Sequence, residues 1–164
     1  MAVGSGKSVE SVLRRLRSPL AMSFYFLWKL PSCRFWRIRV MSIDRQKAVI
    51  RLPFRWRTQN PFQSIYFAAQ LGAAELSTGL LSVAMLADKP RISMLITGVQ
   101  ANFTKKAKET VYFSCDQGAE LEVLLEEIVT GKQESGTIDL VSTGRTAGGI
   151  QVCEAVFSWS FKKK

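Results

Sequence analysis

Residues 64–86 hold no proline and a single charge, Glu75. Small and apolar side chains recur at every helical position, so no face is polar enough to meet water. Such a stretch reads as a long helix enclosed by other elements, ended by Asp88, Lys89 and Pro90. A chain that must close in one helix has few ways to do so, and the flanking patterns narrow them. From Phe35, "FWRIRVMSI" alternates, with Trp36, Ile38, Val40 and Ser42 on one face and Arg37 and Arg39 on the other. "DRQK" predicts a turn and "AVIRLPFRW" a second strand, together an antiparallel hairpin. Beyond the helix, "RISMLITGVQANF" and "TVYFSCD" read as strands on either side of the charged turn "KKAKE". "AELEVLLEEIVTG" has helical spacing and a closing glycine, although Val123, Ile128 and Val129 also suit a strand. "TIDLVSTGRT", the "AGG" turn and "IQVCEAVFSWSF" form a last hairpin. The order of strand, strand, enclosed helix and about four strands is an α+β architecture, an antiparallel sheet wrapped around one helix.

Residues 1–34 precede this pattern, and 35–164 are expected to form the domain proper. The first 18 residues are polar, glycine-bearing at the start and basic at the end, which predicts a loose terminus and a short helix. Leu20 to Trp28 is an apolar run interrupted by Ser23. It is too short to cross a bilayer, which takes roughly 20 apolar residues, and no A-x-A-like cleavage site follows it. A helix packed on the domain is expected; a membrane-surface anchor helped by Arg14, Arg15 and Arg17 is the alternative. The stretch from Ile65 to Leu86 is long enough to span a bilayer. Gln70 and Glu75 lie near its centre, however, where a charge costs roughly 2.5–3.5 kcal/mol.

The 23 Lys and Arg against 13 Asp and Glu give a formal charge of +10, which favours anionic partners. No nucleic-acid-binding motif accompanies it, and the basic residues are dispersed over strands. Cys33, Cys115 and Cys153 are scattered without a C-x-x-C pair, which suits a reducing cytoplasm and opposes a zinc ribbon or disulfide framework. The chain has no histidine, so His-based triads and His metal sites are excluded, and no metal is expected. Phosphate-binding glycine motifs are absent too.

What remains is Glu75 itself. A carboxylate inside an enclosed helix is costly unless paired, hydrogen-bonded or protonated. Burial raises its pKa, the usual preparation of a general base or acid; a structural hydrogen bond to a strand or a neighbouring subunit is the alternative. Asn60, before a proline in the loop entering the helix, suits an Asx turn or an amide aimed at substrate or water. The helix start near Ser64–Phe67 presents unpaired N–H groups and a partial positive charge, a ready oxyanion site.

The "N…(S)IYFAAQLGAAEL" pattern resembles the hotdog fold, and most nearly the phenylacetate-degradation-type thioesterase branch, in particular a bacterial group within it. The resemblance spans roughly residues 35–161 and implies a long central helix wrapped by an antiparallel sheet, with the extra N-terminal helix outside it. In that branch an Asn in the loop, a His-Gly at the helix entrance and an Asp or Glu within the helix form the site. Asn60 takes the Asn place and Glu75 the acidic place; Tyr66 falls where the His stands, and Phe67 and Ala68 replace the glycines. The implied activity is hydrolysis of an acyl-CoA or acyl-carrier thioester in lipid metabolism, the alternative a non-catalytic acyl-binding domain. Tyr66 and Phe67 would meet the carbonyl, and Thr78, one turn after Glu75, would orient the carboxylate or only satisfy the helix backbone. Lys105, Lys106, Lys108 and Arg145 are candidates for the coenzyme A phosphates. Ile65 and Leu71 would line the acyl tail. No cofactor is implied beyond the coenzyme A of the substrate. The family's site lies between subunits, which implies a homodimer or a dimer of dimers.

Overall fold

The computed structural model describes residues 8–164; most of the start expected to be loose lies outside them. The long helix is α4, Phe67–Met85. Its alanines Ala69, Ala73, Ala74 and Ala84 are fully buried, and their small side chains let the sheet approach closely. That sheet has six antiparallel strands in the order β1-β2-β4-β5-β6-β3. They are β1 Arg39–Ile43, β2 Ala48–Leu52, β3 Ile92–Phe103, β4 Val111–Cys115, β5 Ser135–Thr146 and β6 Gln151–Lys163. Alternation sends Ala48, Ile50 and Leu52 of β2, Val111 and Phe113 of β4, and Ala155, Phe157, Trp159 and Phe161 of β6 into the core around α4. The buried hydroxyls of α4 find partners: Ser77 shares a hydrogen bond with Ser142 at 2.7 Å, and Ser82 donates to the Thr78 carbonyl.

Three elements differ from their sequence reading. Phe35 closes a short helix, α3 (Pro31–Phe35), and does not open the first strand. The register of β1 slips between Val40 and Ser42, so the buried position moves from Ser42, which is exposed, to Ile43. The central helix begins at Phe67, because Gln59 and Ile65 pair as an isolated bridge before it. The expected turn at Asp44–Lys47 is present; the Asp44 carboxylate accepts from the Gln46 and Lys47 amides.

Two more helices precede α3: α1 (Val9–Arg17) and α2 (Pro19–Lys29). Leu13, Leu16, Met22, Phe26 and Cys33 turn inward to join the core, and Arg17 Nε donates to the Ile43 carbonyl at 2.8 Å. The N-terminal segment therefore packs on the sheet and helix. The opposite face of α2 carries Leu20, Phe24, Leu27 and Trp28, all exposed. Helix α5, Gly118–Val129, buries Leu121, Leu125 and Ile128 at the other end of the core. Arg45 in the β1–β2 turn joins these parts through ion pairs to Asp88 and Glu122.

Candidate active site

The loop into α4 is built by Asn60. Its Oδ1 accepts from the Phe62 amide at 3.0 Å and from the amide and hydroxyl of Ser64, both at 3.2 Å. This Asx turn, with Gln63 at φ +58°, reverses the chain toward the helix. Asn60 Nδ2 donates to no group among the described residues. Ile65 N then donates to the Ala107 carbonyl at 2.8 Å, which fixes the lysine-bearing loop beside the entrance; Lys105, Lys106 and Lys108 are exposed on it. Arg145 stays in its own hairpin, donating to Gln151 and the Gly149 carbonyl.

Tyr66 is the N-cap of α4, and no side chain caps the helix. The Tyr66 amide is not an oxyanion donor, because it is spent on the Thr58 carbonyl at 2.7 Å. The first-turn amides of Phe67 and Ala68 have no intrahelical partner. The Tyr66 ring meets Phe67 edge-on at 4.9 Å, and Phe67 meets Phe103 at 6.4 Å, forming an aromatic wall at the entrance. Ile65 is buried in the core, while Leu71 is half-buried on the helix face that follows Phe67.

Glu75 lies eight residues beyond Phe67, about 12 Å along the helix axis. Phe67, Leu71 and Glu75 share one stripe, and it is here that the helix is not enclosed: Glu75 is exposed at the surface of the single chain. Its carboxylate makes no ion pair or hydrogen bond among the described residues. Protein atoms nonetheless crowd it enough that desolvation raises its pKa above the ordinary value. Two residues of the N-terminal helices lie within electrostatic reach of it. Cys33 is pushed up to about 11, first by burial and then by the Glu75 charge, and Tyr25 is raised by burial, Cys33 and Glu75 in that order. Thr78 does not orient the carboxylate. Its fully buried Oγ1 donates to the Glu75 carbonyl and accepts from Trp159 Nε1, both at 3.0 Å.

One feature near the site has no counterpart in the sequence reading. Trp36, Arg37, Arg55, Trp56 and Arg57 line an open cleft of about 350 Å³. Trp36 borders α4, since a methyl group on Gly72 would stand 3.0 Å from its ring. The residues come from two segments separated by the β1–β2 hairpin; the only linear signal was the "FRWR" run before Asn60.

Residues 20–160 match the family described as a domain of unknown function, DUF4442. No curated protein matches the chain. Among solved structures it is similar to PA5026 from Pseudomonas aeruginosa, described as a protein of unknown function and probable thioesterase. That pair is 16% identical over the whole of both chains, with a TM-score of 0.75. It is similar also to the thioesterase HI1161 from Haemophilus influenzae, 13% identical over 99% of this chain and 96% of the other, TM-score 0.61. A thioesterase family protein from Silicibacter pomeroyi is 8% identical over 93% and 99% of the chains, TM-score 0.65. At such identities the likeness speaks for the fold, the hotdog arrangement of thioesterase-family proteins. The chain belongs to the DUF4442 family and carries a hotdog fold.

Proposed function

We propose that the protein hydrolyses acyl-coenzyme A thioesters at a site shared between two copies of the chain. The observation that carries this reading is Glu75, a desolvated carboxylate with no ion pair or hydrogen bond among the described residues, on the open stripe that begins at the uncapped helix start. The Phe67 and Ala68 amides accept the thioester oxygen as it gains negative charge. Glu75 activates the water or attacks the carbonyl, and Asn60, through Nδ2, orients the water or the carbonyl. About 12 Å of helix separates Glu75 from those amides, too far for both to act on one carbonyl. Two α4 helices packed antiparallel along their open stripes would set Glu75 of one copy against the amides of the other. A homodimer follows, or a dimer of such dimers.

Tyr66, Phe67 and Ala68, standing where relatives of the thioesterase branch carry His and glycines, favour a second reading: an acyl-binding domain without turnover. Thiol release measured over a series of acyl chain lengths, beside a binding assay, separates the two. Hydrolysis that disappears in Glu75→Gln supports the enzyme; saturable binding without thiol release supports the binding domain.

The exposed face of α2 supports peripheral membrane contact. Between Ser11 and Ala74 the sequence has twelve Lys and Arg and one acid, Asp44. Among them are Lys29 on α2, which bears the ridge of Leu20, Phe24, Leu27 and Trp28, and Arg14, Arg15 and Arg17 on the preceding α1. An apolar ridge flanked by cations fits an anionic lipid surface. Among the described residues no helix is long and apolar enough to cross a membrane. Three free, buried cysteines fit a reducing cytoplasm.

A further inference from the structure

The cleft beside Trp36 combines two recognition chemistries. Its indoles offer flat apolar faces: Trp56 is 76% exposed, with the Phe35 ring set steeply to it and the centroids 6.5 Å apart. Its three guanidinium groups have no acidic partner, for none of the ion pairs among the described residues involves Arg37, Arg55 or Arg57. Nearby in sequence, Arg39 and Arg51 stand directly opposite one another on neighbouring strands, a like-charge pairing that costs stability.

Arg37 adds an independent sign. The α3 helix ends in a reversal in which Ile38 N donates to the Cys33 carbonyl, and Arg37 occupies the left-handed position at φ +56°. Glycine suits that position and an arginine strains it. A strained residue whose side chain lines a cleft is the pattern of a binding function held against local preference.

We propose that this cleft binds the adenosine phosphate end of the substrate, the purine stacking on indole and the phosphates meeting the arginines. The location rests on the thioester reading above, since Trp36 borders α4 at Gly72, one helical turn before Glu75. The ligand chemistry rests on the cleft alone. The inference selects a substrate class: a thioester of coenzyme A, not an acyl group on a carrier protein, whose phosphopantetheine arm has no nucleotide. It also moves the nucleotide from the lysine loop at Lys105–Lys108 to the arginines.

The test titrates the full chain with adenosine 3′,5′-bisphosphate, followed by tryptophan fluorescence and calorimetry. Saturable binding is expected, weakened at least about tenfold by Arg55→Ala/Arg57→Ala. The triple substitution of Lys105, Lys106 and Lys108 by Ala should leave it within about twofold. Arg37→Gly should weaken binding while the melting temperature holds or rises, which separates lost contacts from lost folding. Binding unchanged in the arginine variants, or abolished in the lysine variant, overturns the proposal. So does wild-type hydrolysis of an N-acetylcysteamine thioester as efficient as that of the coenzyme A thioester. Arginine-dependent bisphosphate binding in a protein that hydrolyses neither thioester upholds the cleft and removes only the hydrolase reading.

Discussion

A carboxylate crowded by protein, with no ion pair among the described residues, costs the fold whenever it is ionised. The raised pKa of Glu75 fixes the sign: its contribution to stability is intact below the unfolded-state value, where both states are protonated, and is lost as pH rises through the folded-state value. Glu75→Gln should therefore melt higher than the native chain at pH 7, and the difference should vanish in acid below the ordinary carboxylate range. On the proposed hydrolase reading the same substitution should abolish thioester hydrolysis, while kcat/KM of the native chain should rise with pH through a value above the usual glutamate range. A Gln variant less stable at pH 7 would show that the carboxylate is structural. Thr78 makes the opposite prediction. Thr78→Val strands the buried Trp159 N–H, and should cost about 1–3 kcal/mol in denaturant unfolding without shifting the pH profile of hydrolysis. Glu75 and Asn60 were legible in sequence because a lone charge in an apolar helix and an Asn before proline are local anomalies. The roles of Thr78 and Tyr66 were not, because their partners, Trp159 and Thr58, are chosen by tertiary packing.

At the scale of elements the period-2 and period-3.6 patterns were enough to place the strands, α4 and α5. They failed where chain geometry departs from a regular repeat. The β1 slip at Met41 cannot be read from alternation, because an added residue leaves both flanking segments looking like valid strand. Likewise "FWRI" alternates well enough for a strand, yet Phe35 and Trp36 are drawn into the end of α3. Close approach is also invisible in sequence. Gly118 opens α5 against the β1–β2 turn, and a methyl group there would stand 1.9 Å from the Arg45 carbonyl. Backbone cannot yield as a side chain can, so Gly118→Ala should destabilise by about 3 kcal/mol, measured by denaturant unfolding. The α2 ridge yields a prediction of its own. The chain should co-sediment with vesicles containing anionic lipid and not with neutral ones. Phe24→Ser/Trp28→Ser should release it without altering the fold, since neither side chain is buried. Equal binding to neutral vesicles would remove the role given to the arginines.

Taken as a whole, the single chain is unfinished along one side. Among the described residues strand β3 ends the sheet and is paired only with β6, leaving its outer edge, twelve residues long, without a strand partner. Such an edge invites pairing with another chain. Val99 stands opposite the buried Phe157 and so points to the side of the sheet that holds α4, yet it is 55% exposed; Phe103, on the same face, is also exposed and meets the Phe67 ring. The core face of β3 thus overhangs the open stripe of α4, and a second copy would cover both at once. This accounts at one stroke for the exposed apolar side chains, the unpaired edge and the separation of Glu75 from the amides. The protein should therefore sediment at twice its 18.4 kDa chain mass. Val99→Arg sets like charges across the contact and should give a monomer with native circular dichroism and no measurable hydrolysis, although every side chain assigned to the chemistry is intact. Mixing Val99→Arg with Glu75→Gln chains should restore nothing unless dimers re-form. A folded monomer that still turns over substrate would mean that one chain assembles Glu75 and the amides by itself, which the length of helix between them does not allow.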